Sequence, residues 1–130
     1  MKKILLTIVI LVNILNANYV EDASKAYSSG NKTKAVELYK KACDIGLSKG
    51  CYNLAFHYDT GNGVQQDKRK AVEFFEKTCN LGYSKGCFAL GFIYDEGVEG
   101  EIKQDKKKAK ELWKKACDLG LSDGCKEYKY

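Results

Sequence analysis

The chain has 130 residues, of which 45% are hydrophobic and 30% are charged, and its formal net charge is +5. This length suffices for one domain. Without Lys2 and Lys3 the balance is 20 basic against 17 acidic residues, a net charge of +3. A charge this small argues against nucleic acid as a partner. The chain has no proline, and no strand-like alternation of apolar and polar residues interrupts it.

The first segment predicts export. Met1-Lys2-Lys3 precedes an almost unbroken apolar run from Ile4 to Leu15, and Leu15-Asn16-Ala17 offers small residues for cleavage. This pattern is typical of a secretory signal peptide, predicted over residues 1–17, with the mature domain at 18–130. Uncleaved anchoring is the alternative. The run is too short to span a bilayer, so we expect no stable membrane span after cleavage.

One ten-residue pattern occurs three times and contains every cysteine. It runs from Ala42 to Cys51, from Thr78 to Cys87 and from Ala116 to Cys125. In each copy a glycine three residues after the first cysteine can close a helix in the left-handed conformation. Each copy is therefore predicted to be a helix end, a tight turn and a helix start. A serine two residues after the glycine (Ser48, Ser84 or Ser122) is the predicted N-cap of the second helix.

The six cysteines are predicted to form three local disulfide bonds. Six cysteines allow 15 connectivities. Local pairing closes the shortest loops, and the threefold repetition selects the same pairing each time. The predicted bonds are Cys43–Cys51, Cys79–Cys87 and Cys117–Cys125. Paired cysteines and an export signal agree on an oxidising compartment, either the periplasm or the exterior of the cell.

Between these patterns the chain reads as helix pairs with a period of 36 and then 38 residues. Apolar residues at helical spacing, such as Ala35, Leu38, Tyr39 and Ala42, recur in each period. Asn31, Asp67 and Asp105 are the predicted N-caps of the first helix of each pair. The sequence predicts an all-α solenoid of seven helices, with a partial repeat at 18–30 and repeats at 31–66, 67–104 and 105–130.

These residues resemble a known repeat family. The pattern Tyr58-x-x-Gly61-x-Gly63-Val64-x-x-Asp67, followed by Lys70-Ala71 and Gly82, is similar to Sel1-like repeats, which are relatives of the tetratricopeptide repeats. The paired cysteines resemble the Helicobacter cysteine-rich protein family. Members of that family are described as exported penicillin-binding proteins or β-lactamases. The resemblance therefore implies a β-lactam or another cell-wall-type small molecule as ligand.

The same resemblance implies a binding groove. In tetratricopeptide repeats the second helix of each pair lines a concave face. Tyr52 and Phe88 are expected to be largely exposed there, whereas Phe56 and Phe92 can belong either to the groove or to the core. The predicted groove residues are Lys49, Tyr52, Phe56, Asp59, Lys85, Phe88, Phe92 and Asp95.

No catalytic apparatus is recognisable, so the catalytic residues are unknown. Ser29 and Lys32 match S-x-x-K, but S-D-N and K-T-G are absent and the match crosses a predicted turn, so chance explains it better. His57, the single histidine, is expected on the surface or at a rim. The cysteine spacing fits neither a zinc site nor a C-x-x-C redox motif, and no metal or cofactor is predicted.

Two functions remain open. The first, by resemblance, is a β-lactam-binding protein or a weak β-lactamase that hydrolyses the β-lactam ring. The second is a non-enzymatic module that binds a peptide or protein partner in its concave groove.

Overall fold

The computed structural model describes residues 1–129, except for the side chains of residues 12–17. The predicted cleavage site at Leu15–Ala17 and the terminal Tyr130 lie outside the described side chains. Within the described residues the chain is all-helical, with seven helices and no strand. The helices are α1 (Lys2–Ser28), α2 (Lys32–Asp44), α3 (Ser48–Thr60), α4 (Lys68–Asn80), α5 (Ser84–Glu96), α6 (Lys106–Asp118) and α7 (Ser122–Lys129).

The predicted solenoid is confirmed, because each helix packs mainly against its neighbours in the chain. The core runs along the stack in three clusters, the first joining α1, α2 and α3. The equivalent aromatic residues Tyr39, Phe75 and Trp113 are all buried, one in each repeat. Asn31, Asp67 and Asp105 each accept a backbone N–H from three residues ahead and cap α2, α4 and α6 as predicted.

The serine caps were predicted wrongly. The N-caps of α3 and α5 are Leu47 and Tyr83, neither of which makes a side-chain capping bond, and Ser48 and Ser84 are already the first helical residues. Likewise, α7 begins at Ser122. The reason is a tighter turn: Gly46 adopts φ +85°, and the N–H of Leu47 donates to the carbonyl of Ala42. The turn is therefore complete one residue earlier than predicted.

Each helix pair is joined at its turn by a disulfide bond. The bonds are Cys43–Cys51, Cys79–Cys87 and Cys117–Cys125, with Cα atoms 4.4–4.6 Å apart. The glycine before each second cysteine permits this approach: a Cβ on Gly50 would stand 2.5 Å from the Cβ of Ala42, and Gly86 and Gly124 are similarly crowded. The spacing that recurs in the three repeats thus reflects a close helix contact as well as a disulfide bond.

A second close contact lies between α5 and α6. A Cβ on Gly91 would collide with the indole ring of Trp113, and the equivalent position in the preceding repeat is Ala55, in the same core cluster as Phe75. The larger indole ring of Trp113 is therefore matched by glycine, and the smaller phenyl ring of Phe75 by alanine. The indole Nε1 is buried and has no hydrogen-bond partner among the described residues.

We expect Gly91→Ala to lower the free energy of unfolding by about 1–3 kcal/mol, because it overpacks this contact. Adding Trp113→Phe recreates the Ala55–Phe75 combination and should recover part of that loss, which chemical denaturation of both single variants and the double variant can measure. Strictly additive effects would contradict a direct contact between the two residues.

At the N-terminus, α1 extends beyond the repeat. Its last turns pack against α2, with Ala23 fully buried, whereas the apolar side chains from Ile4 to Leu11 are at least half exposed. None of the described helices is both long and apolar enough to qualify as a membrane span.

Candidate functional site

A cleft of about 400 Å³ lies between the second helices of neighbouring repeats, α3 and α5, with α4 behind them. Five of the eight predicted groove residues line it, and they come from both helices. Three further apolar residues, two charged residues and two loop or small residues complete it. The lining is Tyr52, Phe56, Asp59, Lys68, Phe75, Phe88, Ala89, Phe92, Ile93, Glu96, Gly97 and Val98. We call this the aromatic cleft.

The inner wall of the cleft is built from aromatic contacts that continue into the core. The ring of Tyr52 packs edge-on against Phe75, with ring centroids 5.8 Å apart, and against Tyr83 at 5.4 Å. On the other side Phe88 contacts Phe92 at 5.0 Å. Edge-to-face pairs of this kind stabilise by about 0.5–1.5 kcal/mol beyond area burial. The cleft wall is therefore held rigidly by the core behind it.

The exposure of the four aromatic residues contradicts the expectation for Tyr52 and Phe88 and decides the open question for Phe56 and Phe92. Tyr52 and Phe88 were expected to be largely exposed but are half-buried, whereas Phe56 and Phe92 are 46% and 37% exposed. Positions 52 and 88 follow directly after a disulfide, where the paired helices lie closest together and the rings can reach the next helix. Phe56 and Phe92 lie one turn further on, and their rings present the free apolar surface of the cleft.

Burial also affects the tyrosine of this wall. The half-buried position raises the pKa of the Tyr52 phenol, and the nearby Tyr83 raises it further. The phenol is therefore neutral at physiological pH and acts in the cleft as a hydrogen-bonding aromatic surface.

Of the four charged residues that were predicted to line the groove, only Asp59 lines the aromatic cleft. Asp59 lines the cleft and forms an ion pair with Lys68, with Nζ and Oδ1 2.8 Å apart. Asp95 instead borders a smaller cleft beside Trp113 in the next repeat. Lys49 and Lys85 are exposed in the first turns of their helices and do not line the aromatic cleft.

Sequence reasoning missed Lys68 and Glu96. Lys68 directly follows the N-cap Asp67, and Glu96 is the last residue of α5, before Gly97. Both residues lie at helix ends, where the loops leave the helices at the rim of the cleft. The signal available in the sequence was the short loop that joins α3 to α4, because it places Lys68 beside Asp59.

His57 is not at the surface, contrary to the expectation. It is 3% exposed, its ring centroid lies 5.5 Å from those of Tyr27 and Tyr39, and its Nδ1 donates to the carbonyl of Asn62 at 2.6 Å. A carbonyl oxygen can only accept, so Nδ1 carries the hydrogen. This histidine fixes the loop after α3 and stands behind the cleft wall.

No nucleophile with an adjacent base lies in the aromatic cleft. Ser29 is the C-cap of α1, where its hydroxyl donates to the carbonyl of Ala26, and Lys32 is the first residue of α2, across the turn. Both residues are exposed. Among the described residues, no group of three or more His, Cys, Asp or Glu residues could hold a metal ion.

Comparison with known proteins places this geometry in a family. The family model for the Sel1 repeat matches residues 23–47, 48–83 and 84–121. HcpE of Helicobacter pylori, named as a candidate β-lactamase, is 49% identical over 45 residues, which are 35% of this chain and 13% of that protein. HcpD of the same organism, named in the same way, is 35% identical over 57 residues, which are 44% of this chain and 19% of that protein.

Solved structures agree with the fold. Cysteine-rich protein B of Helicobacter pylori superposes with a TM-score of 0.74 at 29% identity and covers 96% of this chain and 94% of that chain. A Sel1 repeat protein from Oxalobacter formigenes has a TM-score of 0.77 at 21% identity, covering 87% of this chain and 47% of that chain. The second likeness concerns the fold alone.

Proposed function

The chain belongs to the Sel1 repeat family, and from this premise we propose that it binds a peptide segment of a partner protein in the aromatic cleft. The observation that carries the proposal is the exposure of Phe56 from α3 and Phe92 from α5, which both line the aromatic cleft. Complete burial of one such side chain stabilises by about 1.5–3 kcal/mol. Two of them on a rigid wall are aromatic anchors for a ligand, as binding hot spots require.

The rigidity of the wall adds to this proposal. Because Tyr52 and Phe88 are held by Phe75, Tyr83 and the disulfide-bonded turns, the cleft needs little ordering when a ligand enters. Preorganised surfaces lose less entropy on binding and therefore retain more of the contact energy. An extended peptide can place one apolar side chain against each exposed ring.

We test this by panning a displayed peptide library on the oxidised full chain. Selected peptides should bind a Phe56→Ala, Phe92→Ala double variant with a Kd about tenfold higher or more, because each truncation removes contact area at an anchor. Circular dichroism should show a helical but less stable double variant, since Phe56 and Phe92 are 46% and 37% exposed while Phe92 also contacts Trp113. Binding is therefore compared below the melting temperature of this variant. A Tyr128→Ala variant is the control, because Tyr128 is 42% exposed and does not line the aromatic cleft. Equal binding by the double variant and the control would refute the cleft as the site.

Export is part of the proposal. Tyr27 and Gly30 are equivalent to Tyr58 and Gly61, so the repeat register makes residue 17 equivalent to Ser48, the first residue of α3. The apolar segment therefore ends where the repeat begins, which supports a signal peptide at 1–17 and a mature domain at 18–130. The three disulfide bonds fit the periplasm or the cell exterior.

A second candidate is binding or slow hydrolysis of a β-lactam, supported by the similarity to HcpE and HcpD. The matches span only 13% and 19% of those two proteins. Turnover of the chromogenic cephalosporin nitrocefin by the oxidised protein, with Ser29→Ala beside it, tests this candidate. Turnover lost in Ser29→Ala would identify the nucleophile, and no turnover above buffer would exclude hydrolysis of this substrate.

A further inference from the structure

The charged groups that line the aromatic cleft add up to a negative charge, although the chain as a whole carries +5. The lining contains two carboxylates, Asp59 and Glu96, and one ammonium group, Lys68. Because Asp59 and Lys68 are 2.8 Å apart, they neutralise each other. Glu96 is exposed and forms no ion pair within residues 1–129. A cation entering the cleft therefore meets a free carboxylate.

The charges of α3 and α5 also run against their helix dipoles. The dipole favours acidic residues near the N-terminus of a helix and basic residues near its C-terminus. In these helices the first turns contain Lys49 and Lys85 and no acidic residue, while Asp59, Asp95 and Glu96 lie in the last turns. Each exposed charge in such a position is unfavourable for the helix. Departures of this kind from local preference concentrate at functional sites.

The carbonyl groups at the end of α5 reinforce the negative field around Glu96. The last carbonyls of a helix have no intrahelical partner and carry about half a negative charge together. Glu96 is the final residue of α5, so its carboxylate and this helix end act on the same rim of the cleft.

The exposed rings beside this rim attract the same kind of group. The face of a phenyl ring attracts a cation through its quadrupole, even at an exposed site. Lysine and arginine also lay their alkyl stems on apolar surface while the charged head stays in water. The chain already uses this contact internally, since Nζ of Lys108 lies 4.0 Å from the ring centroid of Tyr94.

We infer that the cleft selects peptides that carry a lysine or arginine beside an apolar residue, with the cationic head at Glu96 and the stem over Phe92. This inference rests on the proposed function, because it specifies the chemistry of the peptide that the cleft holds.

The experiment uses the peptides selected on the oxidised full chain. We expect lysine or arginine to be enriched next to an apolar residue. Replacing that basic residue with glutamine in a fluorescein-labelled peptide should raise Kd about fivefold. Glu96→Lys should raise the Kd of the original peptide by about fivefold to tenfold, with a smaller effect in 0.5 M salt. Its melting temperature should stay the same or rise, because a cation at a helix C-terminus is favourable.

Glu99→Lys is the matched control, since it makes the same change in net charge on the adjacent loop but does not line the aromatic cleft. Selected peptides without basic enrichment, or equal weakening by Glu96→Lys and Glu99→Lys, would overturn the inference and leave the proposed function intact. Failure to select any peptide that depends on Phe56 and Phe92 would overturn both.

Discussion

Reducing the three disulfide bonds is expected to lower the free energy of unfolding by about 7–8 kcal/mol. Each bond closes a loop with a sequence separation of 8. On the chain-entropy account such a loop contributes about 2.5 kcal/mol by restricting the unfolded chain. The total is comparable with the whole stability of a small domain. The reduced protein should therefore be largely unfolded at room temperature.

Guanidinium unfolding followed by circular dichroism, with and without a phosphine reductant, measures this effect. Paired Cys→Ala variants, one bond at a time, separate the contributions. Non-reducing peptide mapping should recover three local bonds, and a bond between repeats would contradict the pairing. Cys117–Cys125 should be reduced first, because both of its cysteines are partly exposed whereas the other two bonds are buried. An unchanged denaturation midpoint after reduction would contradict the entropic account.

Truncation of Trp113 to alanine is expected to cost about 3–5 kcal/mol. The side chain is 6% exposed and packs against Phe92, with ring centroids 5.1 Å apart, and directly against Gly91. Because these contacts hold α6 against α5, their loss should unfold or loosen the last repeat before the rest of the stack. Stability in a repeat array is a sum of local and nearest-neighbour terms, so the first repeat should be affected less.

Hydrogen exchange resolves this difference along the chain. In Trp113→Ala, amides of α6 and α7 should lose protection strongly while those of α2 and α3 change little. Lys114→Ala is the control, since that neighbouring side chain is exposed and its ion pair with Asp118 is a surface pair. Wild-type protection throughout the last repeat would contradict the burial of Trp113 as its main support.

The fold was predictable because its signals are local and repeated. Glycines such as Gly46 and Gly61 mark helix ends through a positive φ, and the caps Asn31, Asp67 and Asp105 mark helix starts within a few residues. Each signal depends on its own stretch of chain and occurs in every repeat. Seven helices and three bonded turns follow from these signals without knowledge of the neighbours.

The candidate site was less predictable because its geometry depends on neighbouring repeats. Whether a ring at position 52 or 56 is exposed depends on what the neighbouring elements present to it, and the pattern of a single helix does not contain this information. Here Phe75 and Tyr83 cover Tyr52. His57 is buried by Tyr27 from the preceding partial repeat and by Tyr39 from the first helix of its own pair. The close contact of Gly91 with Trp113 likewise joins two repeats.

The placement of every disulfide inside one helix pair has a mechanical consequence. Within the described residues no covalent cross-link joins one pair to the next, and neighbouring pairs are connected only by the loops between them. A pulling force can therefore separate neighbouring pairs without breaking a disulfide bond. Each bond nevertheless withholds its own turn from extension, and eight peptide units at about 3.5 Å each hide roughly 25–30 Å of contour length. Stretched from its ends, the chain should lengthen in repeat-sized steps that are shorter in oxidising than in reducing solution.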